Sequence, residues 1–103
     1  PGRLPSHYAP RTPVTLVRSP GDAPGGNTGL LTLAPPDIPA KCRLVTVLSP
    51  RGDLREAAAR LFEALHDMDG AGLDRIYAVE MPERGLGAAI MDRLRRAAGK
   101  SGA

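Results

Sequence analysis

The sequence predicts an α/β fold: a small open sheet of about four strands, mixed or mostly parallel, with two main helices packed on it. Three observations lead there. Short β-branched runs recur between Pro13 and Val79. One segment, from Leu54 to Met68, has an unbroken apolar stripe at helical spacing. The order strand, helix, strand from Arg43 to Val79 is a βαβ unit, which implies parallel pairing and a right-handed crossover.

Residues 1–12 read as an arm and residues 13–103 as the domain that follows. Four of the first thirteen residues are prolines (Pro1, Pro5, Pro10, Pro13). Each ring fixes φ and pushes the preceding residue toward extended backbone, so this segment is no helix. The arm carries His7 and Tyr8, one of two histidines and one of two tyrosines in the chain. An imidazole and a phenol on an extended arm make a poor core and suit contact with something else. The chain opens on Pro-Gly instead of Met, which suggests a piece of a longer polypeptide.

Pro13 to Arg18 alternates like a strand, and Ser19 to Asn27 is rich in turn residues. A second strand fits Thr28 to Leu33 and is closed by Pro35-Pro36. A third fits Arg43 to Leu48; its nearly continuous apolar run (Leu44, Val45, Val47, Leu48) predicts burial on both faces. Asp53 can cap a helix, with Glu56 as its capping-box partner. Leu54, Ala57, Ala58, Leu61, Phe62, Leu65 and Met68 then form the inward stripe, and Gly70 and Gly72 end the helix. Ile76 to Val79 is a fourth strand, ended by Met81-Pro82. A last helix is expected from about Leu86 to Ala98, with Ile90, Leu94 and Ala97 inward and with Gly87 and Ala88 allowing close backbone approach. The order of the first two strands in the sheet stays open.

Composition narrows the function classes. The 103 residues are enough for one domain, and with 42% hydrophobic but only 3% aromatic residues the core must be built from Leu, Val, Ile and Ala. A single cysteine, Cys42, excludes an internal disulfide and fits a reducing compartment. No apolar run approaches the ~20 residues of a membrane span, so a cytoplasmic chain with no membrane partner is expected. The net charge of +3 favours anionic partners only weakly.

Candidate chemistry is sparse. Gly85-Leu86-Gly87 lies between a strand and a helix, but the third position of a dinucleotide fingerprint is Ile90 and no acidic residue follows at the required distance. These glycines are better explained by close packing. The loop from Gly21 to Gly29 lacks the Lys-Ser/Thr ending of a P-loop. Arg93, Arg95 and Arg96 form a basic cluster that could touch RNA or another anion; no aromatic platform accompanies it, and complementing the negative helix end with a local pair such as Asp92 with Arg96 accounts for it better. Arg51-Gly52-Asp53 lies where a turn and a helix cap are needed. His66 belongs to the polar side of the first helix, Cys42 reads as a buried structural thiol, and His7, His66 and Cys42 have no metal-ligand spacing. Read by its residues alone, the chain has no catalytic group and no metal site.

Longer segments carry a resemblance. Pro1-Gly2 through His7-Tyr8-Ala9-Pro10, followed by Arg11-Thr12-Pro13-Val14, resembles the linker of the two-domain L-threonylcarbamoyladenylate synthases. Leu48 to Ala58 (LSPRGDLREAA), Gly70 to Ile76 (GAGLDRI) and Gly85 to Ala97 (GLGAAIMDRLRRA) resemble, in order, the strand-to-helix segment, the following turn and the final helix of that family's C-terminal domain.

The resemblance implies a Rossmann-like accessory domain, with its interdomain linker, of an enzyme that joins L-threonine, bicarbonate and ATP into threonylcarbamoyl-AMP and pyrophosphate. That product feeds threonylcarbamoyladenosine modification of tRNA. ATP with Mg, and L-threonine, are then ligands of the full-length enzyme, while this chain needs no cofactor and is not expected to be catalytic by itself. Its first partner would be an N-terminal YrdC-like catalytic domain; tRNA or proteins of the modification complex are further partners. His7 and Tyr8 become the gating residues, Tyr8 stacking on or hydrogen-bonding to the nucleotide and His7 meeting its phosphate or holding the arm's shape. Arg3, Leu4 and Pro5 depart from the Met-Lys-aromatic pattern of some members and receive no role. Asp92 stands where many relatives have Asn, which puts a polar role for it in doubt. Two other readings remain: an RNA-binding module using Arg93, Arg95 and Arg96, and a regulatory domain sensing a small ligand at the carboxyl ends of its strands.

Overall fold

The computed structural model describes residues 10–101, the last two as backbone only. Four strands and two helices follow one another as β1 (Val14–Val17), β2 (Gly26–Thr32), β3 (Cys42–Val47), α1 (Leu54–Asp69), β4 (Arg75–Val79) and α2 (Leu86–Ser101). All four strands are parallel, in the order β1-β4-β2-β3. The α/β expectation holds, and the sheet is wholly parallel. A 3₁₀ turn at Pro20–Asp22 lies in the predicted loop, and β2 begins at Gly26, two residues earlier than predicted.

Strand order corrects two expectations. The βαβ unit is split: β3 and β4 are parallel but do not pair, because β2 lies between them. The third strand is also not buried on both faces. It is an edge strand, with Arg43 and Val45 exposed. The inner places belong instead to β4 and β2, and in β2 Thr28 to Thr32 are all buried and Leu30 and Leu31 have no exposure. Each such leucine is worth about 1.5–3 kcal/mol when buried, so the strand that can bury both faces takes the middle.

Successive residues of a strand point to opposite faces, and the core divides accordingly. Leu31, Ile76 and Ala78 pack on one face with Leu61, Leu65 and Met68 of α1 and Ile90, Met91 and Leu94 of α2. Both helices cover this face. On the other, Leu30 and Val79 form a smaller cluster with Cys42 and with Ala23 from the loop after β1.

The inward stripe of α1 is largely as predicted, with Ala64 added and with Leu54, Ala58 and Phe62 only partly buried. The predicted Ile90, Leu94 and Ala97 of α2 are buried, and Met91 joins them; its Sδ accepts a hydrogen bond from the Met81 N–H at 3.4 Å. Gly87 makes the expected close approach, but to the Pro82 carbonyl, where an added Cβ would lie 1.8 Å from the oxygen. Ala88 has no such role and is exposed.

The start of α1 is more elaborate than a two-residue capping box. Asp53 caps the helix by accepting from the Arg55 N–H at 2.9 Å. Glu56 does not reach back to the Asp53 amide. The fully buried Ser49 hydroxyl stands between them, accepting from the Asp53 N–H at 2.9 Å and donating to Glu56 Oε1 at 2.6 Å.

Candidate functional site

Parallel strands place their amino ends together and their carboxyl ends together, so the molecule has two distinct rims. At the amino rim the chain enters β1. Pro13 joins the ladder by accepting from the Ile76 N–H at 2.8 Å. Just before it, Arg11 and Thr12 are held by Asp69, the last residue of α1. Asp69 Oδ1 accepts from the Thr12 N–H and from Thr12 Oγ1, both at 2.8 Å, and Oδ2 accepts from the Arg11 N–H at 3.2 Å. Thr12 is buried and Asp69 half-buried. Beside this clamp lies an open cavity of about 520 Å³, lined by Arg11, Pro13, His66, Asp69 and Leu73. His66 is exposed, as its place on the polar side of α1 predicted.

The carboxyl rim holds a second, shallow cavity of about 340 Å³ among Ser19, Pro20, Thr32, Ala34, Pro36 and Ile38. It occupies the position where open parallel sheets take ligands. Its polar groups are partly committed already: Thr32 Oγ1 donates to the Ala34 carbonyl at 2.7 Å. Ile38 is half exposed over it.

The structure does not gather the arginines of α2 around one point. The Arg93 guanidinium stacks over the Phe62 ring, 4.6 Å from its centroid. Arg95 pairs with Glu83, and that hydrogen bond raises its pKa still further, so it stays charged. Arg96 pairs with Asp92 at 3.1 Å, the predicted local pair. Arg95 and Arg96 nonetheless keep much of their surface in solvent.

His7 and Tyr8 lie outside the described residues. Cys42 is buried at the start of β3, its Sγ 3.7 Å from the Pro24 carbonyl, in line with a structural thiol. Among the described residues no group of three or more His, Cys, Asp or Glu could hold a metal ion, and no helix is long and apolar enough to cross a membrane. Asp69 and Thr12 are the residues that reading the sequence missed. The available signal was an acidic residue in the last turn of a helix, where the macrodipole disfavours it.

The fold and the held chain entry define a small parallel α/β domain whose first strand is entered through a carboxylate clamp. The chain belongs to the family described as threonylcarbamoyl-AMP synthase, C-terminal domain, whose model matches residues 1–99. The threonylcarbamoyl-AMP synthase of Pyrococcus abyssi is 35% identical over 107 residues, and that of Bacillus subtilis 31% identical over 109. Each match covers 96% of this chain but only 32% of the relative, so the chain spans about a third of the length of these enzymes. The crystal structure of P. abyssi Sua5 complexed with L-threonine superposes with a TM-score of 0.70 at 31% identity, covering 98% of this chain and 32% of that one.

Proposed function

We propose that this chain serves as the accessory and gating domain of an L-threonylcarbamoyladenylate synthase, which converts L-threonine, bicarbonate and ATP into threonylcarbamoyl-AMP and pyrophosphate for tRNA modification in the cytoplasm. The observation that carries the reading is the span of the match: the model of a C-terminal domain covers residues 1–99, and the synthases matched are about three times as long. The chemistry then belongs to an N-terminal catalytic domain, which binds L-threonine and ATP with Mg. Residues 1–12 act as the linker, with His7 and Tyr8 meeting the nucleotide. Residues 13–103 hold that linker in place.

The test has two arms. The 103-residue chain, given ATP, L-threonine and bicarbonate, is expected to release no pyrophosphate; turnover would refute an accessory role. In a full-length synthase carrying this domain, Tyr8→Ala is expected to lower threonylcarbamoyl-AMP synthesis about tenfold or more, the scale of one lost stacking or hydrogen-bonding contact. Unimpaired synthesis with an intact C-terminal fold would count against gating.

A second reading, contact of the α2 face with tRNA, draws support from the solvent exposure of Arg95 and Arg96. In that case tRNA binding weakens when Arg93, Arg95 and Arg96 are replaced.

A further inference from the structure

We propose that Asp69 is a positioning residue: it fixes the direction in which the chain leaves β1 toward the N-terminus, and thereby the placement of the linker over the nucleotide site of the synthase. The first half stands on geometry alone; the second rests on the gating reading above. Three hydrogen bonds converge on the one carboxylate, from the Arg11 N–H, the Thr12 N–H and the Thr12 hydroxyl. One such bond would leave the peptide free to swivel about it. Two consecutive amides directed at the two oxygens fix the orientation of the plane between them, and an ionised acceptor makes each bond stronger than a neutral one.

The place of Asp69 shows that helix formation does not call for it. A negative charge in the last turn opposes the helix macrodipole. The helix end is closed independently, with the Gly70 N–H donating to the His66 carbonyl at 3.1 Å. What the carboxylate does hold is the chain entry at Arg11 and Thr12. Arg11 and Thr12 are flanked by Pro10 and Pro13, whose rings fix φ, so an orientation set at this pair is transmitted along a stiff segment. If only a fraction of molecules carries the linker in its working position, apparent substrate affinity falls by that fraction.

Asp69→Ala and the milder Asp69→Asn test this at two levels. In the 103-residue chain, amide exchange at Arg11 and Thr12 should accelerate about tenfold or more in Asp69→Ala and less in Asp69→Asn, with Leu30 and Ile76 unchanged. Unchanged exchange at Arg11 and Thr12 overturns the anchor. In a full-length synthase carrying this domain, Asp69→Ala should raise the KM for ATP about fivefold and leave kcat within about twofold, because saturating nucleotide draws the linker back. A merely structural defect lowers kcat with the active fraction and leaves KM alone; that result overturns the positioning role. Tyr8→Ala is measured in parallel. If it impairs synthesis while Asp69→Ala leaves KM unchanged, the positioning role fails and gating stands. If neither variant changes synthesis, gating fails and the positioning role falls with it, while the exchange data decide the anchor independently.

Discussion

Gly87 and Gly29 are two positions where a single added methyl group would meet structure already in place, and they differ in what it meets. At Gly87 a Cβ would lie 1.8 Å from the Pro82 carbonyl oxygen, which is backbone and cannot swing aside without moving the turn that starts α2. At Gly29 it would lie 2.6 Å from Leu73 Cδ1 and 2.7 Å from Met68 Cε, the far ends of flexible side chains. Gly87→Ala is therefore expected to cost about 3 kcal/mol or more, and Gly29→Ala about 1–2 kcal/mol, since a repacked methionine and leucine absorb part of the overlap. Urea denaturation of the two variants checks the order; equal losses would show that the Pro82 turn yields as readily as a side chain. The sequence suggested close approach at Gly87 but not its partner, because Pro82 meets Gly87 only once the turn folds back on the helix.

Element by element, the helices were more legible than the strands. The stripe on α1 specifies which side is buried, because a helix presents its residues at a period that the sequence displays directly. The start of α1 was only half legible. Asp53 and Glu56 are local signals, but the Ser49 hydroxyl that joins them comes from the segment after β3 and is brought in by the turn at Pro50–Gly52. Ser49→Ala leaves the Asp53 N–H and Glu56 without their shared partner. It is expected to destabilise the domain by about 1–3 kcal/mol, read as a lower urea midpoint at unchanged m-value; a change below about 0.5 kcal/mol would mean that water replaces the hydroxyl. The strands were misjudged where burial had to be inferred from apolar content. β3 has four apolar residues in six yet lies at the edge, whereas β2, with Asn27, Thr28 and Gly29 in its run, is an inner strand.

Across the described residues, one face of the sheet carries both helices and the other a smaller cluster with the loop after β1, and the two rims differ in what they present. The amino rim holds the anchored chain entry and the carboxyl rim the shallow cavity. The basic face of α2 already carries Asp92 and Glu83 as counterions. Its binding to tRNA is expected to be weak, and to fall steeply between about 50 and 200 mM salt as phosphate contacts exchange with counterions. A tight complex persisting at the higher salt, measured by gel shift, would instead establish a dedicated RNA surface.

By itself the sequence determined the α/β class, the extent of α1 and the start of α2 (which runs to Ser101, past the expected Ala98), the buried thiol of Cys42 and, through its resemblance, the synthase family. All of these are carried by local periodicity, single residue types or contiguous motifs. Only the tertiary structure decided the order β1-β4-β2-β3, the edge position of β3 and the grip of Asp69 on Arg11 and Thr12. Strand order depends on which buried faces pack best once the crossovers close. The clamp joins residues 57 and 58 positions apart, a separation across which no local spacing rule operates. The proline-rich opening predicted an extended arm; the fold added the hold on Arg11 and Thr12, where the chain enters β1.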